Sequence, residues 1–350
     1  MAVIRDVMPA FDLLQPSSAA EAQQLLEQNA AEAWVMAGGL DSFDWLKDRI
    51  KKPKVLVDLS GVDELRGIRV NEAGVEIGAM TTLTEIANHS EIKGNYGVLA
   101  DAVSVVASPQ IRNQGTLGGN VSQDVRCWYY RGGWPCYRAG GNVCYADTPV
   151  GRNREHAIFG ANRCVAVHPS DSVPALIALD AKFVVQTAKG ERVVDAEDYF
   201  VGPEDDITKI NMLQPGDLLT AIRIPNNWAG AKFYFEKVRD RNVWDFPLMN
   251  VASAIKLDAS GNIQRIRLAV NAVSPRPMRL KAVEDAVGGR PANAETGEMA
   301  GKMAVQGAVP LQFNGYKIPL MRNLVKRAIA QSPRQAASRL AGSTGGQEAA

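Results

Sequence analysis

Ile111-Arg112-Asn113-Gln114-Gly115-Thr116-Leu117-Gly118-Gly119-Asn120 is the most informative segment of this 350-residue chain. Its paired glycines follow an apolar position and precede a small polar residue. Glycine accepts positive φ, and its missing Cβ lets backbone N–H groups approach an anion closely. A turn of the same design lies upstream at Ala37-Gly38-Gly39-Leu40-Asp41, directly after an apolar strand. The two turns are therefore candidates for binding the two phosphates of a dinucleotide.

Each glycine turn by itself has an ordinary explanation, because a Gly-Gly pair after a strand is most often only a tight turn. Neither turn matches G-x-G-x-x-G, so neither is a Rossmann phosphate loop. The sequence has only three histidines and contains neither a G-x-S-x-G elbow nor an H-E-x-x-H helix. No catalytic residue is expected, and the chemistry is predicted to belong to a bound cofactor.

Hydrophobic periodicity around the turns predicts a small α/β unit in the first 60 residues, a mixed middle and a C-terminal sheet with helices. A change of composition near Asn226 predicts a domain boundary there. The predicted helices are 19–27, 44–49, 82–89 and 97–107, with a last one ending near 327–331. The predicted strands are 33–36, 54–59, 65–70, 75–79, 183–187, 218–225, 232–237, 250–257 and 263–273.

Composition is that of an ordinary globular protein, with 46% apolar and 22% charged residues. At this length two or three subdomains are expected rather than a single core. The formal net charge of +1 gives no electrostatic reason to expect nucleic acid or an anionic membrane as partner. The first residues lack the pattern of a secretory signal, and no apolar run approaches the ~20 residues that span a bilayer. A cytoplasmic location without membrane insertion is expected, unless a partner's signal exports the complex.

All four cysteines fall within one 38-residue window that opens seven residues after Asn120. The spacing C-x8-C-x7-C-x19-C places them at Cys127, Cys136, Cys144 and Cys164. Four thiols in a large chain do not make a disulfide scaffold, and such a cluster is typical of a metal site. The spacing matches neither the paired C-x2-C of a zinc ribbon nor the compact run of bacterial ferredoxins. On the residues alone, an iron–sulfur cluster, a structural zinc ion and no metal all stay open.

Three segments carry a resemblance to a known family: Val35–Ser42, residues 111–120 and His168-Pro169-Ser170-Asp171. Over residues 4–331 the chain resembles the FAD-binding subunit of the molybdenum hydroxylases, the xanthine dehydrogenase family. The resemblance implies an α+β fold, with a two-subdomain FAD-binding domain of the PCMH/VAO type and then a C-terminal α+β domain of a sheet with packed helices. The implied divisions are subdomains at 1–62 and 63–227, a domain of the CO-dehydrogenase-flavoprotein type at 228–331 and a mobile tail at 332–350.

The resemblance also implies which residues contact FAD. The first glycine turn would line the ADP and pyrophosphate, and the second would form the other phosphate loop. Asp171 would bind the sugar or ribityl region, Leu219 would lie near the ring and Lys237 would reach the flavin. On the residues alone, Leu219 is a core strand position and Lys237 a solvated strand end. The implied contacts are Val35, Met36, Ala37, Gly38, Gly39, Leu40, Asp41, Ser42, Val106, Thr116, Gly118, Gly119, Asn120, Asp171, Leu219 and Lys237.

The cysteines lie in an extra segment, residues 121–167, between the second glycine turn and the Ser-Asp motif. Many relatives join these two motifs almost directly. One branch, which includes 4-hydroxybenzoyl-CoA reductase and certain bacterial aldehyde oxidoreductases, carries a [4Fe–4S] cluster on such an insertion. The segment Asn153–Gly160 is most similar to the aldehyde oxidoreductase type. The resemblance therefore implies a [4Fe–4S] cluster bound by Cys127, Cys136, Cys144 and Cys164.

The other side chains near the thiols also have expected roles. The aromatic residues of the insertion are expected to shield a cluster or to form the insertion's own small core. Arg126, Arg131 and Arg138 are expected to offset the negative charge of a thiolate cluster. His156 and His168 are alternative metal ligands, although four cysteines suffice.

The resemblance implies an electron-transfer subunit. Substrate, an aldehyde or an aromatic heterocycle, would be oxidised on a large molybdenum-cofactor subunit. Electrons would pass through a small [2Fe–2S] subunit to the FAD of this chain and then to an external acceptor. One alternative is a reductive subunit of the 4-hydroxybenzoyl-CoA reductase type, in which electrons run from the cluster through FAD to molybdenum. An alternative of another class is a zinc-stapled, non-catalytic assembly module, which would be colourless.

Overall fold

The computed structural model describes residues 8–330, so the predicted mobile tail at 332–350 lies outside the described residues. The strands form three separate sheets, of which the first is parallel. Its central strand is buried at every position, as is usual for a strand covered on both faces. Its strands, in the order β1-β3-β2, are β1 (Asp12–Leu14), β2 (Ala33–Met36) and β3 (Val55–Asp58), and its helices are α1 (Ala19–Asn29) and α2 (Leu40–Lys47).

The second sheet is antiparallel, with the strand order β4-β5-β8-β6-β7. Its apolar face and the surrounding helices form the largest core of the molecule. The strands are β4 (Ile68–Asn71), β5 (Gly74–Gly78), β6 (Lys182–Thr187), β7 (Gly190–Asp195) and β8 (Leu218–Pro225). The helices of this part of the chain are α3 (Leu83–Asn88), α4 (Ser90–Asn95), α5 (Gly97–Ser104), α6 (Pro109–Gln114), α7 (Leu117–Ser122), α8 (Trp128–Arg131) and α9 (Ser172–Ala178).

The third sheet is antiparallel and is covered on both faces. Along β10, Ala252 and Ala254 face the core of the second sheet, whereas Val251 and Ile255 face the helices of the C-terminal unit. The small residues let α5 and α9 pack closely on the first of these faces. In the order β12-β11-β10-β9 the strands are β9 (Lys232–Val238), β10 (Met249–Leu257), β11 (Ile263–Asn271) and β12 (Met278–Arg279), and the helices are α10 (Lys281–Val287), α11 (Ala294–Ala304) and α12 (Lys317–Ala330).

The described residues confirm the predicted α+β architecture. The main differences lie beside the glycine turns. The helix predicted at 44–49 begins at Leu40, immediately after Gly39, whose φ of +78° is readily adopted by glycine. The second turn is itself the start of α7, because the Thr116 hydroxyl accepts a hydrogen bond from the Gly119 N–H and caps the helix. No helix within residues 8–330 is long and apolar enough to cross a membrane.

Candidate functional site

The two glycine turns lie against each other although they are far apart in the sequence. A Cβ on Gly38 would lie 2.2 Å from the carbonyl oxygen of Gln114. A Cβ on Gly119 would lie 3.5 Å from the Cβ of Ala37. Gly118 is equally confined, since a Cβ there would lie 2.8 Å from the Ala79 carbonyl oxygen. Close packing therefore requires these glycines, and it brings the starts of α2 and α7 next to each other.

The two turns differ in their free backbone donors. No side chain caps the start of α2, so its first N–H groups, which have no acceptor within the helix, are available to an anion. In the second turn the N–H groups are used within the protein: those of residues 117–120 donate to Thr81 O, Ala79 O, Thr116 Oγ1 and Thr116 O. The expectation of two equal anion nests is therefore wrong. The first turn offers the open donors, and the second contributes close packing and side chains.

Asn120 ties the second glycine turn to the Ser-Asp motif. Its Oδ1 accepts hydrogen bonds from the hydroxyls of Ser170 at 2.5 Å and Ser172 at 2.7 Å. The carbonyl oxygen of Ser170 in turn accepts from the Asn271 side chain at 2.7 Å, at the end of β11. The motif is thus fixed from two sides, by the second turn and by the third sheet.

Asp171 and Lys237 form a buried ion pair. Lys237 Nζ lies 2.6 Å from Asp171 Oδ2, and both side chains are almost fully buried. Asn250 donates to the other carboxylate oxygen at 3.0 Å, and Lys237 also donates to the Val105 carbonyl oxygen at 3.2 Å. Burial raises the pKa of Asp171 and lowers that of Lys237, while the attraction between the two charges opposes both shifts. The structure therefore places both side chains between the start of α9 and the third sheet, in contact with each other.

Removal of one partner of this pair is expected to be strongly destabilising. Lys237→Met leaves the Asp171 carboxylate buried without its cation, which costs about 3–5 kcal/mol of unfolding free energy. The measurement is denaturant unfolding of flavin-free protein, with Lys189→Met on an exposed turn as the control. Adding Asp171→Asn to Lys237→Met should recover part of the loss. A Lys237→Met protein as stable as the control would contradict a structural role for the pair.

The other predicted FAD contacts occupy different environments. Val106 is buried, and its carbonyl oxygen accepts from Arg112 Nη1 at 2.7 Å. Leu219 lies in β8 within the largest core, which is a core strand position. Val35 and Leu40 retain 38% and 39% of their accessible surface, at the edge of the first turn. Apolar side chains exposed beside a glycine turn are suited to contact an aromatic ligand.

Asp41, at the start of α2, anchors the cysteine-bearing insertion. Arg126 Nη2 lies 2.9 Å from its Oδ1, Arg131 contacts the same oxygen, and Trp45 Nε1 donates to Oδ2 at 3.1 Å. The Arg131 guanidinium also stacks 3.9 Å above the Trp45 ring. Arg126 and Arg131 were expected to offset thiolate charge, and the structure pairs both with Asp41. These arginines instead join the insertion to the helix that follows the first glycine turn.

The four cysteines converge although almost no regular secondary structure separates them. A single small cavity is lined by all four thiols, and by Tyr129, Tyr130, Tyr137 and Tyr145 among others. All four cysteines are free. The loops that bring them together are tight: a Cβ on Gly141 would lie 1.8 Å from the Pro135 carbonyl oxygen. The convergence is therefore built into the insertion.

Burial of the thiols disfavours the thiolate form and raises the pKa of Cys127 and Cys164, while several smaller contributions favour it. Backbone N–H groups of Tyr129 and Tyr130 donate to Cys127, and that of Ala166 donates to Cys164. The buried Arg138, paired with Asp124 at 2.5 Å, lowers the pKa of Cys164. Burial opposes these contributions: it raises the pKa of Cys127 to about 12 and also raises that of Cys164, and neighbouring thiols add to both increases. Thiolates at these buried positions would therefore need a bound metal to stabilise them.

Two further observations describe the insertion around the thiols. Within residues 8–330, no group of three or more His, Cys, Asp or Glu residues is arranged to hold a metal ion. Among the aromatic residues, Tyr129, Trp134 and Tyr145 contact one another with ring centroids 4.8–5.9 Å apart, which is a small core of the insertion. Trp128, by contrast, is 63% exposed. The aromatic residues therefore mainly pack the insertion.

The sequence did not single out several buried polar residues that hold these segments. Asn250 and Asn271 lie on the third sheet and bond the Ser-Asp motif. Asn314 and Lys317 lie at the start of α12, are fully buried and bond the insertion. The only local signal for such a residue is its polar side chain within an apolar strand or helix face. Its hydrogen-bond partner is distant in the sequence.

Comparisons with known proteins agree with this architecture. Residues 9–227 match the FAD-binding domain in molybdopterin dehydrogenase, and residues 233–332 match the CO dehydrogenase flavoprotein C-terminal domain. The aldehyde oxidoreductase FAD-binding subunit PaoB of Escherichia coli (strain K12) is 34% identical, over 94% of this chain and 100% of that protein. The carbon monoxide dehydrogenase medium chain of Hydrogenophaga pseudoflava is 27% identical, over 92% of this chain and 97% of that protein.

Solved structures show the same relationship. The carbon monoxide dehydrogenase of Hydrogenophaga pseudoflava that lacks the Mo-pyranopterin moiety of its cofactor matches with a TM-score of 0.72 and 27% identity. The match covers 92% of this chain and 97% of that one. Three findings support one conclusion: a family match over most of the chain, a relative at 34% identity over nearly its full length, and a shared fold. This chain belongs to the FAD-binding medium subunits of the molybdenum hydroxylase family, and it is an oxidoreductase subunit.

Proposed function

We propose that this chain carries both FAD and a [4Fe–4S] cluster as the electron-transfer subunit of a heteromeric molybdenum hydroxylase of the aldehyde oxidoreductase type. Its partners are a large molybdenum-cofactor subunit and a small [2Fe–2S] subunit. Oxidation of an aldehyde to a carboxylic acid consumes one water and releases two electrons and two protons. Those two electrons reach an external acceptor by way of this chain. Bound FAD and the cluster supply the redox chemistry, and the protein supplies binding and electrostatics.

The observation that carries the proposal is the convergence of all four cysteines on one cavity. These are the only cysteines in the chain, and they come from four separate loop positions. Tetrathiolate ligation is the usual way to hold a [4Fe–4S] cluster. N–H donors to the sulfurs of Cys127 and Cys164 and the nearby Arg138 fit such an anionic group. The four thiols and these neighbouring groups support the proposed cluster.

A [4Fe–4S] cluster and the zinc alternative require different arrangements of four thiolates. A structural zinc ion needs four ligands about 2.3 Å from one centre, which draws the sulfurs tightly together. No such group is present among the described residues. A [4Fe–4S] cluster instead takes one thiolate on each of four irons, so its ligands stand farther apart. The four cysteines of this chain line one cavity, and the proposal assigns them to the second arrangement.

For FAD, we propose that the first glycine turn binds the pyrophosphate through the open N–H groups at the start of α2. Thr116 and Asn120 border the same cleft from the second turn, and Val35 and Leu40 offer apolar contact. Asp171 and Lys237 are proposed to act on the flavin from a prearranged ion pair. The divisions at 1–62, 63–227 and 228–331 agree with the three sheets and stay proposals for the domain boundaries.

The test of the function uses the whole complex, purified anaerobically through a tag on this chain. Copurification of a molybdenum-containing large subunit and a [2Fe–2S] small subunit is expected. Addition of an aromatic aldehyde should bleach the flavin absorbance near 450 nm, and an external acceptor should restore it. A flavin that stays oxidised with aldehydes, although reduced by dithionite, would contradict the proposed direction of electron flow and substrate class.

A further inference from the structure

His156 is the one histidine whose ring contacts a cysteine in the described part of the chain. Its Nε2 lies 3.3 Å from the Cys127 sulfur, and only 3% of the residue is exposed. A neutral imidazole has a single N–H, on either Nδ1 or Nε2.

The surroundings of the ring assign the position of that N–H. Nδ1 is buried and has no hydrogen-bond partner within residues 8–330. A proton on Nδ1 would be a buried donor without an acceptor, which is costlier than a bare lone pair. A proton on Nε2 has the Cys127 sulfur as its acceptor. The tautomer with hydrogen on Nε2 is thus favoured, and most strongly when Cys127 is a thiolate.

The backbone that carries His156 is held by side chains from the start of α12. Asn314 Nδ2 donates to the carbonyl oxygens of His156 and Ala157, both at 3.0 Å. Lys317 Nζ donates to Glu155 O at 2.8 Å and to Ala272 O at 2.7 Å. Three consecutive carbonyls, 155 to 157, are therefore bound by two fully buried side chains from the start of α12.

This anchoring explains a buried loop and a buried lysine at once. Residues 153–158 have no helix or strand to satisfy their carbonyls, so the polar groups of α12 replace one. Among residues 8–330, Lys317 Nζ donates to two backbone carbonyl oxygens and to no carboxylate, and burial lowers its pKa to about 7.

We propose that His156 is a positioning residue for the cluster: it donates its Nε2–H to the Cys127 thiolate and, held by Asn314 and Lys317, raises the reduction potential of the site. The inference rests on the proposed [4Fe–4S] cluster. Hydrogen bonds to cluster sulfurs stabilise the more negative, reduced state and so raise the potential. Residues at the start of α12 thereby act on a site whose proposed ligands all lie in the insertion.

The test compares His156→Leu, which removes the donor, with His156→Gln, whose amide retains one. Iron content and the midpoint potential, followed by electron paramagnetic resonance in the whole complex, are the measurements. His156→Leu and Asn314→Ala should keep the cluster at a lower potential than wild type. His156→Gln should lie between wild type and His156→Leu, and His89→Gln, far from the insertion, should match wild type.

The outcomes separate this inference from the function on which it rests. A cluster with the same midpoint potential in wild type and His156→Leu would overturn the role of His156 while leaving the proposed function intact. A lower melting temperature of Asn314→Ala without a change in potential would likewise show that the anchoring is only structural. Wild-type protein without iron and sulfide would overturn both.

Discussion

Gly119→Trp is expected to abolish FAD binding while the iron–sulfur site stays intact. A Cβ at this position would lie 3.0 Å from Thr116 Oγ1 and 3.5 Å from the Ala37 Cβ, so it points into the contact between the two turns. An indole there must occupy the cleft beside the start of α2. We expect a loss of flavin of at least about tenfold, since about 1.4 kcal/mol of lost binding energy suffices for that factor. Flavin absorbance after purification measures it.

The matched control is Gly94→Trp. A Cβ on Gly94 would meet nothing within 4 Å, so the same side chain is added where there is space. This control should retain its flavin and its melting temperature. Normal flavin content and affinity in Gly119→Trp would refute the assignment of FAD to the cleft between the two turns.

Cys136→Ser is expected to remove the cluster, or to convert it to one with fewer irons, while FAD stays bound. Cys136 is buried in a tight loop, where its backbone carbonyl oxygen accepts from the N–H groups of Ala139 and Gly141. A hydroxyl is a much poorer ligand for iron than a thiolate, whereas the change in side-chain volume is small. Iron and sulfide content should fall, and flavin content should equal that of wild type.

Two control variants accompany the Cys136→Ser measurement. Thr148→Ser lies in the same insertion and keeps the hydroxyl that donates to the Tyr145 carbonyl oxygen, so its iron content should be normal. Gly119→Trp should also have normal iron content, which would show that the two sites load independently. Unchanged iron and an unchanged spectrum in Cys136→Ser would mean that Cys136 is not a ligand.

Much of the fold follows from local sequence signals. Apart from β7 and β12, the predicted strands of the second and third sheets match the observed ones to within a few residues, including β8. The strand β7 was missed, since this edge strand reads Gly-Glu-Arg-Val-Val-Asp and has no period-two apolar pattern. The helices α6 and α7 were also missed. The glycine pair of the second turn predicts a turn, whereas in the structure Thr116 caps α7 there.

The candidate site was less accessible from sequence, because its contacts join distant segments. The glycine motifs predicted the place of the turns, but their contact through Gly38 and Gln114 depends on the folded core. Lys237 was expected to reach the flavin, and its ion pair with Asp171 was not predicted. The anchoring of the insertion by Asn314 and Lys317 also gives no local signal, since backbone carbonyls are not visible in a sequence pattern.

The central claim is that one chain holds both FAD and a [4Fe–4S] cluster, and a quantitative cofactor analysis tests it most directly. Iron, zinc, acid-labile sulfide and flavin are measured on wild-type protein purified without oxygen. We expect about four irons, about four sulfides and one FAD per chain, with negligible zinc. One zinc ion per chain, with no sulfide after reconstitution with iron, sulfide and FAD, would contradict it.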